Sequence, residues 1–381
     1  MQPLSGSNAE RSRSSNRQAV LGGIQSAGQM GRAELARALG LSTQAVSNII
    51  AELEADGFLT EKGSTSRGRG LPAMQYAVNP DGGFAMGVEI RPDAILSALV
   101  DLNGDTKATR RHALKSHSPQ HVMTRVAKMQ SDLLDKTGVP LDKLMGVGVV
   151  IPGPFGQTGL SGLGSDLVGW QDLDVKAAFS TALHVPVEVS NDANAAAMSE
   201  RFATDLHSFA YLYFGAGLGL GLVNQGQLVT GAFGNAGEIG HIPIATPSGP
   251  APLEQHLSRV SIQQTLKSKI PLDIPAIEVL LDQQNKHFLR WLDQGALALS
   301  QAVAMIENMF DPQSVILGGA MPASVLDQLI ARTPLSDLSV SHRQDNATPR
   351  LQRGECGRMT ATLGAASLIL NRAFTPQVAS L

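Results

Sequence analysis

The stretch Asn79-Pro80-Asp81-Gly82-Gly83 divides this chain into two parts that cannot share one architecture, and by composition it reads as a linker. Before it lie short helical patterns and a hairpin. After it, strands and helices alternate. A length of 381 residues suggests two to three domains. Hydrophobic residues are 43% and mean hydropathy is +0.01, enough to build large cores, and 17% charged residues argue against disorder. A net charge of −3 excludes a globally basic nucleic-acid coat protein. The single cysteine, Cys356, excludes a disulfide framework and any thiolate-rich metal site. No apolar run is as long as a membrane span, and the Ser-rich start lacks the apolar core of a signal peptide, so the expected location is the cytoplasm with no membrane partner.

Residues 16–27 can form an amphipathic helix through Val20, Leu21 and Ile24, weakened by Gly22-Gly23. A second helix in GRAELARAL stops at Gly40, which tolerates a left-handed cap. Ser42 then caps a third, whose Ala45, Val46, Ile49, Ile50 and Leu53 make one apolar stripe. Phe58-Leu59-Thr60 and Met74-Gln75-Tyr76-Ala77-Val78 read as strands around the hairpin tip GSTSRGRGLP. Helix, helix, turn, helix and a two-stranded wing is the order of a winged helix-turn-helix. Thr43, Gln44, Ser47 and Asn48 are short hydrogen-bonding side chains at the start of the third helix, suited to base edges in a major groove. Arg67 and Arg69 at the wing tip suit phosphate or minor groove, and Arg11, Arg13 and Arg17 suit phosphate. Residues 1–80 carry eight Lys/Arg against six Asp/Glu, a small excess that decides nothing by itself. The other reading of this region is a three-helix packing module with a polar face.

Beyond Gly83, FAMGVEI and AILSALVDL read as strands, followed by a hairpin turn at Asn103-Gly104 and a helix over 119–136. MGVGVVIPGPF is a buried strand running into a Gly/Pro loop. VPVEVSNDANAAAMSE is a strand, a turn and a helix starting near Asn194. A glycine-rich hairpin, a long helix over 288–310, the strand SVILGGA and a terminal helix in MTATLGAASLILNRAF complete an α/β pattern. Gly215, Gly217, Gly219 and Gly221 recur with period two. Leu220 stands where a dinucleotide fingerprint needs glycine, so the run serves either close backbone packing or a phosphate-facing turn.

The winged-helix start, VGVVIPGPF, VEVSNDANAAA, YFGAGLGLGL, GNAGEIGHIPI and DPQSVILGGA together resemble the ROK family of repressors, open reading frames and sugar kinases, from about residue 16 to 373. The resemblance implies an α/β fold with two actin-like, hexokinase-like (ribonuclease H-like) lobes behind the winged helix-turn-helix. Residues 1–80 would bind DNA, 84–192 with the C-terminal helix 363–381 would form the first lobe, and 193–362 the second. It also implies that Asp192, beside Asn191, matches the kinases' general base, and that Glu238, His241 and Glu254 match sugar contacts. Read without the family, Asp192 could simply belong to a helix-capping turn and His241 could be a structural histidine. Gly164 and Ser165, before Val168-Gly169-Trp170, would lie near the cleft mouth.

Two departures carry weight. The family's phosphate turn, Asp-x-Gly-Gly-Thr, is replaced by Glu89-Ile90-Arg91-Pro92, which removes glycine amides that could approach phosphate. Ala216 stands where Thr is common, and Gly318-Gly319-Ala320 replaces three glycines. The family's zinc cysteines are missing after His241, leaving His241, Glu254 and His256 as a poor ligand set. The sequence therefore predicts a sugar-responsive DNA-binding regulator, most simply a repressor, acting as a homodimer or homotetramer on operator DNA with a sugar or phosphosugar effector. No ATP, zinc or other cofactor is expected, and Asp192 would be a vestigial base. The alternatives are an ATP-dependent sugar kinase carrying a DNA-binding domain and a constitutive DNA-binding protein.

Overall fold

A computed structural model describes residues 8–65, 73–91, 94–153, 155, 169–170, 173–215, 217–268, 272–343, 345–357 and 359–376. Arg67, Arg69, Gly164, Ser165, Val168 and Ala216 fall outside these residues, as does the side chain of Arg11.

The N-terminal part consists of α1 (Asn8–Ala27), β1 (Met30–Gly31), α2 (Arg32–Leu39), α3 (Thr43–Ala55), β2 (Leu59–Thr65) and β3 (Ala73–Val78). The three strands form one sheet in the order β1-β3-β2. Both helix boundaries follow the chemistry read from the sequence. Gly40 takes φ +64° at the end of α2, and Ser42 Oγ accepts from Ala45 N at 3.1 Å to cap α3. Helix α1 begins eight residues earlier than its apolar positions suggested.

The rest holds two five-stranded sheets. The first is built from β4 (Phe84–Ile90), β5 (Ala94–Asp101) and β6 (Thr106–Ala113), then, across α4 (Pro119–Thr137), β7 (Leu144–Val150) and, across α5 (Val175–Leu183), β8 (Val187–Ser190). Its order is β6-β5-β4-β7-β8, antiparallel through β4 and parallel beyond it. Helix α6 (Asp192–Ala203) leads to the second sheet, of β9 (Phe209–Phe214), β10 (Leu218–Asn224) and β11 (Gln227–Leu228). The ribbon β12 (Pro243–Ile244) and β13 (Ala251–Pro252) precedes α7 (Arg259–Thr265), α8 (Ile274–Asp282) and α9 (Lys286–Phe310). Strand β14 (Ser314–Gly319), α10 (Ala323–Arg332), β15 (Leu351–Arg353) and α11 (Thr360–Phe374) follow. The second sheet runs β11-β10-β9-β14-β15. Each sheet buries a core of its own, around Phe179 and Val149 in the first and around Phe214, Trp291 and Leu317 in the second.

Helices α6 and α11 cross between the sheets at backbone distance. A Cβ on Gly364 would fall 1.6 Å from Ala195 O. The period-two glycines have the same cause in part: on β10, a Cβ at Gly219 would meet Ala193 Cβ at 2.7 Å and one at Gly221 would meet Ala193 O at 2.4 Å. Close packing is thus the reason for Gly219 and Gly221, whereas Gly215 and Gly217 face the polar site described below.

The segment 79–83 is not a free linker. Asn79 Nδ2 donates to Gly57 O at 2.8 Å and its Oδ1 caps the 3-10 turn Pro80–Gly82. Gly82 lies so close to Gly57 that a Cβ would sit 2.5 Å from Gly57 O. Turn residues predict a turn; whether the turn is packed depends on a neighbour that local composition does not reveal. The result is one core shared by both parts of the chain. Val20, Ile24, Leu35, Val46, Ile50 and Leu53 pack in the same cluster as Val100, Leu102, Ile369, Leu370 and Phe374. Helix α1 touches α11 directly: Gln18 Nε2 donates to Arg372 O at 2.7 Å, and Gly22 lies against Phe374 O.

Candidate functional site

The strand-to-helix turn after β8 places the first two candidate residues. Asn191 is the N-cap of α6: its Oδ1 accepts from Asn194 N at 2.8 Å, leaving Nδ2 on the side of Gly153. The helix therefore starts at Asp192, two residues before the position read from the sequence, because the cap is Asn191 itself. Asp192 Oδ1 accepts from Ala193 N at 2.9 Å. Its Oδ2 faces the glycine turn, 3.1 Å from where a Cβ on Gly215 would be. Burial, reinforced by the nearby Glu89 carboxylate, pushes the Asp192 carboxyl up to about 6.

Glu238, His241 and Glu254 come from two 3-10 turns joined through β12 and β13. His241 sits between the two carboxylates, with Nε2 3.7 Å from Glu238 Oε2 and Nδ1 3.7 Å from Glu254 Oε1. Burial raises the Glu238 pKa; His241 pulls it down and Glu254 pushes it further up. Gly217 makes room for Glu254, since a Cβ there would lie 2.6 Å from Glu254 Oε2. Gly153, after β7, stands 3.4 Å from Glu238 Oε1 by the same measure and 3.7 Å from Asn191 Cβ. The five residues named from the sequence are thus brought together in one polar cluster, a mixture of carboxylates, an amide and an imidazole suited to hydrogen-bonding several hydroxyls.

On the other side of Asp192, Glu89 is buried at the end of β4 and bound three times. Arg91 donates from Nε to Glu89 Oε1 at 2.6 Å and from Nη2 to Oε2 at 3.0 Å, and Thr362 Oγ1 donates to Oε2 at 2.7 Å. The sequence singled out this segment for its missing glycines but not for this pair. The available signal was the i, i+2 spacing in a strand, which puts both side chains on one face.

The cysteines of the zinc site that the family resemblance implies are missing from this sequence. The loop from His241 to Glu254 supplies no thiolate. Among the described residues no group of three or more His, Cys, Asp or Glu is arranged to hold a metal.

On α3, Thr43, Gln44 and Asn48 are exposed, and Gln44 Nε2 donates to Asn48 Oδ1 at 2.9 Å. Ser47 is half-buried and its hydroxyl donates back to Thr43 O at 2.8 Å. Arg13 and Arg17 do not stand free for phosphate. Arg13 pairs with Glu52 at 2.5 Å and Arg17 with Asp56 at 2.5 Å, because α1 crosses the acidic C-terminal turn of α3. Trp170 is buried, donating to His117 O at 2.7 Å.

The model of the ROK family matches residues 85–372. The chain belongs to the ROK family. The N-terminal part matches the MarR family over residues 19–70. A xylose repressor of Bacillus spizizenii is 24% identical over 89% of this chain and 90% of its own length. The DNA-binding transcriptional dual regulator NagC of Escherichia coli is 22% identical over 80% of each chain. Among solved structures, a ROK family transcriptional regulator described as a homologue of the E. coli MLC protein superposes with a TM-score of 0.76, at 22% identity, over 96% of this chain and 97% of the other. A ROK family glucokinase from Streptomyces griseus superposes with a TM-score of 0.58, at 20% identity, over 75% of this chain and 99% of its own. This ROK chain therefore has the fold of both regulators and kinases, and its winged part extends beyond the kinase body. Among the described residues no helix is long and apolar enough to cross a membrane.

Proposed function

We propose that this ROK protein is a sugar-responsive, DNA-binding transcriptional repressor whose former nucleotide seat has become an internal ion pair. The observation that carries the reading is the joining of two features in one body. The polar cleft of Asn191, Asp192, Glu238, His241 and Glu254 lies at the start of α6, and α6 packs on α11, the helix that shares its core with the winged part. The relatives' names, xylose repressor and NagC, support the same reading.

A sugar or phosphosugar in the cleft acts as effector. Asp192 and Glu254 accept from its hydroxyls, and Asn191 Nδ2 and His241 donate. The α3 face of Thr43, Gln44, Ser47 and Asn48 reads operator bases, with Arg67 and Arg69 on phosphate or minor groove. Two copies, as a dimer or within a tetramer, occupy two half-sites. Sugar binding alters DNA affinity only if it favours one arrangement of the two winged parts over the other.

The kinase alternative needs triphosphate oxygens beside the first strand. There the Arg91 guanidinium lies across Glu89, and Pro92 offers no N–H, so phosphoryl transfer loses the positioning on which it depends. The protein works without ATP, zinc or another cofactor. Calorimetric titration with a panel of pentoses, hexoses, amino sugars and their phosphates tests the cleft. At least one binds the wild type and loses affinity in both Asp192→Asn and Glu254→Gln; binding unaffected by either substitution contradicts the assignment.

A further inference from the structure

Helix α6 has different chemistry at its two ends. Asn191 and Asp192 open it at the cleft, and Arg201 lies in its last turn, at the junction with the winged part. There a cavity of about 280 Å³ lies between α1, α6 and α11, lined by Gly22, Gly23 and Gln25 of α1, by Arg201, and by Asn371 of α11 with Thr375 after it.

Among the described residues, Arg201 is the only charged one of that lining. It is half-buried, and its Nε is closed off from solvent with no hydrogen-bond partner. The guanidinium head also packs against a turn. It lies against Gly226, where a Cβ would stand 3.3 Å from Nε and 3.5 Å from Nη2, and where φ of +75° disfavours a side chain. Burial lowers the Arg201 pKa from its ordinary value, and Asp205, the one carboxylate opposing that shift, makes no ion pair with it among the described residues. Thr375 Oγ1 donates to Asn371 Oδ1 at 2.7 Å, so Asn371 has only its Nδ2 donor left to offer.

We propose that this cavity is a second ligand site, which takes the oxyanion of a small phosphorylated or carboxylated metabolite on the Arg201 fork, with Gln25 and Asn371 as neutral donors. Nε, closed off from solvent, stays out of an occupant's reach, so the terminal Nη1 and Nη2 groups, which a planar guanidinium holds in parallel, make the N–H···O bonds. The occupant would contact α1 and α6 together, so this site is separate from the sugar cleft and does not depend on the reading of the cleft.

The test is isothermal titration of the full chain at constant ionic strength, with inorganic phosphate and acetate as probes. Phosphate or acetate binds the wild type. Arg201→Gln weakens both anions about tenfold or more, a loss of about 1.4 kcal/mol. Gln25→Glu, which leaves Arg201 in place but adds a carboxylate to the lining, weakens them as well. Asp192→Asn binds inorganic phosphate as the wild type does. The relative affinities of phosphate and acetate tell which oxyanion the site prefers. The proposal is overturned if no anion binds the wild type, if Arg201→Gln and Gln25→Glu both bind like the wild type, or if Asp192→Asn abolishes phosphate binding while Arg201→Gln retains it.

Discussion

Arg91 closes a two-point pair on Glu89, Nε to Oε1 at 2.6 Å and Nη2 to Oε2 at 3.0 Å, and Thr362 completes the carboxylate's partners. A carboxylate this buried needs its cation. Arg91→Ala is expected to destabilise the protein by about 3 kcal/mol, the low end for breaking a buried pair, because Arg91 keeps some solvent contact. Denaturant melts of the two proteins measure it. The same pair predicts that purified wild type gives no sugar-dependent ATP turnover in a coupled assay, whereas ROK-type catalysis would run at about 1–100 s⁻¹.

Asp192 sets a pH dependence. Its carboxyl is raised from 3.8 to about 6, so the folded state holds a proton that the unfolded chain has already released. Stability therefore falls as pH rises between those two values and stays reduced above them. Asp192→Asn should match the wild type near pH 4 and exceed it at pH 8 by about 1–3 kcal/mol, since part of the group still meets solvent. Sugar affinity runs the opposite way: the ionised carboxylate is the better acceptor, so wild-type affinity drops below about pH 6. Thermal melts and sugar titrations across pH 4–8 check both signs.

Gln44 and Asn48 share a hydrogen bond on the exposed start of α3. Gln44→Ala and Asn48→Ala are each expected to cost about 1–3 kcal/mol on operator DNA and little on random duplex. Arg67→Ala should weaken both duplexes alike and reduce the salt slope by about one unit. Fluorescence anisotropy at two salt concentrations separates these outcomes, and equal loss on both duplexes for Gln44→Ala contradicts base reading.

Gly22 meets Phe374 O so closely that a Cβ would fall 2.2 Å from it. Gly22→Ala must part α1 from α11. Operator binding should survive, because α3 is untouched, while the effect of sugar on that binding shrinks. Paired titrations with and without sugar measure the coupling; an unchanged coupling means the message takes another route.

Much of this architecture could be read from local chemistry. Gly40, Ser42 and the stripe of Val46, Ile49, Ile50 and Leu53 determine α2 and α3 without help from the rest of the chain. The proximity of Asn191, Asp192, Glu238, His241 and Glu254 could be expected because motif residues keep their place relative to β8 and the 3-10 turns that carry them. What escaped were long-range contacts. Asn79 to Gly57, Arg13 to Glu52 and Arg17 to Asp56 join elements whose crossing angles no local pattern encodes. Likewise, the start of α6 was misplaced because Asn191 acts as a cap and as a cleft residue at once. Helices α5, α8 and α10 also went unread, being only 9 to 10 residues long.

The most direct test is the affinity of the full chain for operator DNA, measured by anisotropy with and without each sugar and phosphosugar of the panel, in wild type and Asp192→Asn. At least one compound should shift wild-type affinity by about 5–150-fold, the usual range of coupling between sites, and leave Asp192→Asn unmoved. Operator affinity indifferent to every compound, or a shift that persists in Asp192→Asn, would contradict the account.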